Sequence, residues 1–65
     1  MAKVGDRIFK WRLRRRLTQT AIARALGWHK SKVCRIELGH QAPSLEDLGR
    51  LAWLLRCRVR ALLDE

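Results

Sequence analysis

Sixty-five residues allow one small domain, which buries only about 60% of the surface its unfolded chain exposes and has little room for a catalytic cleft beside its core. Hydrophobic residues at 48% and charged ones at 32% exclude a disordered composition, and the apolar runs fall well short of the roughly 18 residues of a membrane span. The net charge of +9 is unevenly spread: between Arg7 and Ile36 the chain carries ten basic residues and no acidic one.

The periodicity is helical throughout, and no run alternates as a strand would. In a first helix Val4, Ile8 and Trp11 share one face, with Arg12 and Arg15 at its margins. Thr18 then offers an N-cap hydroxyl, and Gln19 to Leu26 make a second helix in which Ile22 and Leu26 stack at i and i+4. Gly27 stands where a left-handed residue ends a helix. A third helix starts near His29, turns Val33 and Ile36 inward and closes at Gly39. Ser44 caps a fourth, with Glu46 and Asp47 in the first turn where the helix dipole favours anions. Leu45, Leu48, Leu51, Ala52 and Leu55 line its inner face, and Gly49 sits opposite at a cost of about 1 kcal/mol relative to alanine. A short fifth helix runs from Val59 to Leu63.

Gly27 could kink one long helix or turn between two. The turn is the stronger reading, because a short all-helical chain needs turns to bury anything, and a continuous helix would lose its sharply basic face. Joined by so short a turn, the helices at 19–26 and about 29–37 have helix-turn-helix spacing, in which the second helix enters a major groove. Ala23 is then small because the third helix crosses there, and Trp28 plugs the space between the two. Lys30, Ser31, Lys32, Cys34 and Arg35 are left off the core face. A solvated helix also carries lysines outside, but an ordinary surface mixes signs, and this one does not. The charge therefore points to a polyanion, nucleic acid ahead of an anionic membrane surface.

No constellation of an enzyme is present. There is no Ser-His-acid set, carboxylate pair, phosphate loop or metal cluster, and His29 with Cys34 lacks an orienting acid. No cofactor, metal or small-molecule ligand is expected. Cys34 and Cys57 have no CxxC spacing; one disulfide is conceivable on paper, while reduced, partly buried thiols suit a cytosolic compartment. With no basic-then-apolar leader, the expected location is cytoplasmic, at the nucleoid.

The run Leu17-Thr18-Gln19-Thr20-Ala21-Ile22-Ala23-Arg24-Ala25-Leu26-Gly27-Trp28, with Ser31 to Arg35, Ile36-Glu37-Leu38-Gly39 and Pro43-Ser44-Leu45, resembles the Cro/phage-repressor (Xre-type) helix-turn-helix family. Ile8 and Trp11-Arg12 occupy that family's first-helix apolar pair and recurrent arginine, so the resemblance spans about residues 4 to 63. It implies an all-α, compact five-helix, lambda-repressor-like DNA-binding domain over residues 1–65, its helix-turn-helix formed by the second and third helices. Lys30, Ser31 and Arg35 match base-reading positions, and Lys32 matches either a base reader or a phosphate grip. Arg and Lys suit the O6/N7 edge of guanine. Gln19, with Thr18, matches the phosphate-holding first turn of the second helix, where backbone N–H groups attract anions. His29 stands where a small N-cap is usual; a cap and a phosphate contact are both open to it. His40 and Gln41 match a loop that touches the DNA backbone.

By the same resemblance, Arg12 and Glu37 form a buried pair joining the first helix to the end of the third. Arg16 departs from the family by replacing a glycine after the first helix, and Leu38 by standing where a polar residue is common. Phe9, Leu13, Trp53 and Leu54 exceed what a small core needs. They either cap the domain's edges or form a dimer or partner surface, and the family's habit of pairing through C-terminal helices favours Trp53. The implied function is a sequence-specific double-stranded DNA-binding transcriptional regulator, a repressor holding a palindromic operator as a homodimer. The competing reading is an antitoxin or anti-repressor that uses the same fold to hold a protein partner.

Overall fold

The computed structural model describes residues 3–63; residues 1, 2, 64 and 65 of the expected domain lie outside the described residues. Five helices follow one another: α1 (Lys3–Arg14), α2 (Gln19–Leu26), α3 (Lys30–Leu38), α4 (Leu45–Leu55) and α5 (Val59–Leu62). No strand occurs among the described residues, and no helix is long and apolar enough to cross a membrane.

Local chemistry sets the starts. Thr18 Oγ1 accepts from the Ala21 N–H at 2.9 Å, and Ser44 and Asp47 close a reciprocal capping box with bonds of 3.0 and 3.1 Å. Burial pushes the Asp47 carboxyl upward, but the Ser44 hydrogen bonds and the nearby Lys32 ammonium outweigh it and hold the group below its ordinary value. The ends are more uniform than the sequence suggests. Each of the first four helices finishes in a left-handed residue whose successor donates back to a carbonyl five residues earlier. Leu17 N–H bonds Arg12, Trp28 bonds Ala23, His40 bonds Arg35 and Cys57 bonds Ala52, at 2.8–3.1 Å. Gly27 and Gly39 fill two of the left-handed positions, at φ 74° and 81°; Arg16 and Arg56 fill the others, both at φ 58°.

That answers what replaces the glycine after α1: the same backbone turn, carrying a side chain. An L residue in this region is disfavoured by about 1–2 kcal/mol. Part of that returns with glycine, whose unfolded state is freer. Arg56→Gly is therefore expected to stabilise the domain by about 0.5–1 kcal/mol, read as a melting temperature a few degrees higher. A fall would show that the arginine side chain contributes more than the strain it carries.

The core is continuous. Ile8 from α1, Ile22, Ala23 and Leu26 from α2, Val33 and Ile36 from α3, Leu48, Leu51, Ala52 and Leu55 from α4 and Leu62 from α5 are all buried. Val4, Trp11, Leu17, Trp28, Leu54, Cys57 and Val59 pack around it half-buried. One expected core residue is corrected: Leu45 is 78% exposed, because it is the first residue of α4 and only the following turns meet other helices. Both cysteines are free and half-buried, and burial raises the Cys57 thiol against the opposing pull of Arg15.

Two arginines tie helix ends across the fold. Arg15 donates from Nε to the Leu55 carbonyl at 2.7 Å and from Nη2 to Arg56 at 3.0 Å, and Arg50 Nη2 donates to the Leu26 carbonyl at 2.7 Å. Each places a cation at the negative end of a helix that is not its own. Gly5 marks the tightest approach. It is buried in α1, and a Cβ there would strike the Ile36 carbonyl oxygen and come within 2.6 Å of that of Glu37. A residue without a side chain is what lets α1 lie against the end of α3.

Candidate nucleic-acid interface

Gly27 is a turn: α2 ends at Leu26, α3 begins at Lys30, and Trp28 lies half-buried between them. His29 takes the extended N-cap backbone of α3, but its side chain makes no capping bond and points outward. Lys30 and Ser31, in the first turn, are exposed, as is Arg35 about one turn further on. Lys30 shares a groove of about 590 Å³ with Thr18, Gln19, Thr20 and Arg12, so the starts of α2 and α3 border one surface. Thr20 is a member of that surface that the sequence reading passed over; its place beside Gln19 in the first turn of α2 was the available signal.

The loop after α3 is joined to the same surface. Arg35 Nε donates to Gln41 Oε1 at 2.9 Å, and the backbone N–H groups of His40 and Gln41 both donate to the Arg35 carbonyl. Gln41 thus orients the guanidinium while leaving its outer edge exposed, and His40 stands exposed next to it.

Lys32 is set apart from the residues with which the sequence groups it. Its ammonium lies 4.1 Å from the Trp28 ring centroid and 3.5 Å from Asp47 Oδ2, and its side chain is only 27% exposed. An indole face and a carboxylate both attract the cation, so it folds back toward the start of α4. Arg50, 5.9 Å from the same ring, adds a second cation beneath the turn.

Behind the surface lies a partly buried network. Arg12 donates to Glu37 from Nε at 2.6 Å and from Nη2 at 3.1 Å, and from Nη1 to the Leu17 carbonyl at 3.0 Å. Gln19 Nε2 donates to Glu37 Oε1 at 2.9 Å, a third donor for the carboxylate that sequence reasoning did not supply. The Arg12 and Glu37 side chains are 11% and 5% exposed, and among the described residues no buried side-chain N or O lacks a partner. A Gln amide nitrogen carries two hydrogens, so this bond leaves Gln19 one donor.

The spare apolar residues divide. Phe9, Leu13 and Trp53 are exposed, Trp53 at 80%, whereas Leu54 packs half-buried on the core and so helps to close the domain's edge. Leu38 is exposed as well, and it lines a cavity of about 290 Å³ with Phe9, Cys34 and the Arg12–Glu37–Gln19 network.

No curated protein and no solved structure matches the chain. A family model described as a helix-turn-helix domain matches residues 4–65, all but the first three residues of the sequence. That span takes in the α2–turn–α3 unit, the groove at its head and the Arg12–Glu37 pair, and on it the chain belongs to the helix-turn-helix family of Xre/Cro-type DNA-binding domains.

Proposed function

We propose that this domain is a transcriptional regulator that reads duplex DNA in the major groove with the first half of α3, as a repressor on a palindromic operator. The observation that carries it is the surface at the head of the helix pair. Lys30, Ser31 and Arg35 stand exposed beside the N-terminus of α2, while the carboxylates of Glu37 and Asp47 are already engaged by Arg12 and Lys32. Lys30 and Arg35 suit guanine edges. Gln19, Thr18, His29, His40 and Gln41 border them and would hold phosphates, with the backbone N–H groups of the first turn of α2 adding to the attraction. Lys32, whose ammonium is turned toward Trp28 and Asp47, is the base or phosphate contact that this arrangement supports least.

Binding to random duplex should fall steeply with salt, by about 0.9 logarithmic units per phosphate contact. On a selected site, Lys30→Ala and Arg35→Ala should each cost about 1–3 kcal/mol and relax preference at one position, whereas Gln19→Ala should weaken all sequences alike. Salt-independent binding with no preferred sequence would exclude this reading.

A dimer would set two recognition helices about 34 Å apart on one face of the duplex. Trp53 supports it: an indole 80% exposed on α4, next to Leu54, is a large apolar group for a soluble surface. Trp53→Glu is expected to reduce the sedimenting mass from dimer to monomer, and an unchanged mass would take Trp53 out of the contact. Exposed Trp53, with Phe9, Leu13 and Leu38, also supports the second reading, an antitoxin or anti-repressor that holds a protein partner.

A further inference from the structure

On the side of α1 away from α3, a cleft of about 360 Å³ is lined by Arg7, Lys10, Trp11, Arg14 and Ala61. At about 100° per residue, Gly5 and Arg12, which face α3, are separated by about 180° around α1 from the centre of Arg7, Lys10 and Arg14. The cleft therefore opens on the side of α1 opposite to the one packed on α3, in a body 28 × 24 × 21 Å in extent. From the geometry we infer that the α1–α5 cleft is a second phosphate-binding surface, through which one domain holds a second segment of duplex DNA. This rests on the DNA-binding reading of the α3 surface.

The cleft has the chemistry for it. Residues 7 to 14 advance about 10 Å along the helix axis, long enough to meet neighbouring phosphates of one DNA strand. Arg14 is held in place, its guanidinium 4.6 Å from the Trp11 ring centroid, while Arg15 occupies the same indole from 5.2 Å. The indole faces are thus in use, which disfavours base stacking and leaves backbone contact. Lys10 pairs with Asp6 at 3.1 Å, but both side chains are largely exposed, and such a pair yields readily to a phosphate. None of the large exposed apolar residues (Phe9, Leu13, Leu38, Leu45, Trp53 and Leu63) lines the cleft. Trp11 and Ala61 give the cleft an apolar floor, and what favours a polyanion is that Arg7, Lys10 and Arg14 are its only charged lining residues, all of one sign.

The test uses the full chain with two random-sequence duplexes, one biotinylated on beads and one fluorescent. Wild type should retain the fluorescent duplex on the beads. Lys10→Ala/Arg14→Ala should lose that retention while still binding the beads, and should lower the salt slope of the second binding step by about two. Ala61→Glu, which places a carboxylate in the cleft wall, should do the same without removing a cation. Bead binding by wild type without retention of the second duplex, or retention undiminished in both variants, would overturn the cleft assignment alone. Failure of wild type to bind either duplex would overturn the α3 reading along with it. Competition by polyglutamate as effective as competition by duplex would assign the cleft to acidic polypeptide instead.

Discussion

Glu37→Ala is expected to destabilise the domain by about 3–5 kcal/mol, because it leaves the largely shielded Arg12 guanidinium with the Leu17 carbonyl as its remaining hydrogen-bond partner, beside the Phe9 ring. Glu37 receives three hydrogen bonds, two from Arg12 and one from Gln19, through a side chain only 5% exposed. A small core rarely supplies more than about 3–5 kcal/mol of net stability, so the variant should be largely unfolded at room temperature. Glu37→Gln keeps an acceptor and the shape while removing the charge, and should fall between the two. Thermal unfolding followed by circular dichroism separates the three proteins; coincident melts for wild type and Glu37→Ala would remove the network from the stability of the fold.

Gly5→Ala should be the second large loss, and it has a built-in control. In an ordinary helix, glycine to alanine stabilises by about 1 kcal/mol. At Gly5 the added carbon meets backbone, the Ile36 oxygen and, at 2.6 and 2.9 Å, the oxygen and carbon of Glu37; these cannot move unless α1 lifts from α3. Overpacking of this kind costs about 1–3 kcal/mol or more, and here the upper end applies, for a net loss of about 2 kcal/mol. Gly49, also helical, has nothing within 4 Å of its would-be Cβ, and Gly49→Ala should gain about 1 kcal/mol. Denaturant midpoints should move in opposite directions. Matching shifts would mean that the seam between α1 and α3 is looser than its geometry. Since Gly5 rests on the backbone of Glu37, the two losses should not add in a double mutant.

Much of this was legible along the chain because the punctuation is local. Thr18, Gly27, Gly39 and Ser44 each announce a helix boundary by chemistry confined to a few residues, and the apolar positions between them fall at helical spacing. Arg56 hid its turn, and Arg16 showed its own only through the glycine it replaces, since the left-handed backbone there is held by the bonds back across five residues without the residue type that advertises it. The placement of Lys32 was illegible for another reason. Its spacing puts it beside Lys30 and Ser31, and the Trp28 ring together with Asp47, arriving from α4, draws the ammonium away. The role of Gly5 was not legible, because a close approach belongs to two elements and neither one's sequence records it. Leu45 kept the periodicity of α4 but sits before that helix meets its neighbours.

The arginine ties at the ends of α2 and α4 bear on the order of assembly. Arg15 reaches Leu55 across 40 residues and Arg50 reaches Leu26 across 24, while α2 and α3 meet through a turn of three. Closing a long loop costs chain entropy that only an already assembled body recovers, so local pairing precedes these bonds. Contacts that form after the transition state leave the folding rate nearly unchanged and act on the escape rate. The ties thus work as latches: they set how long this small domain, once closed, stays closed.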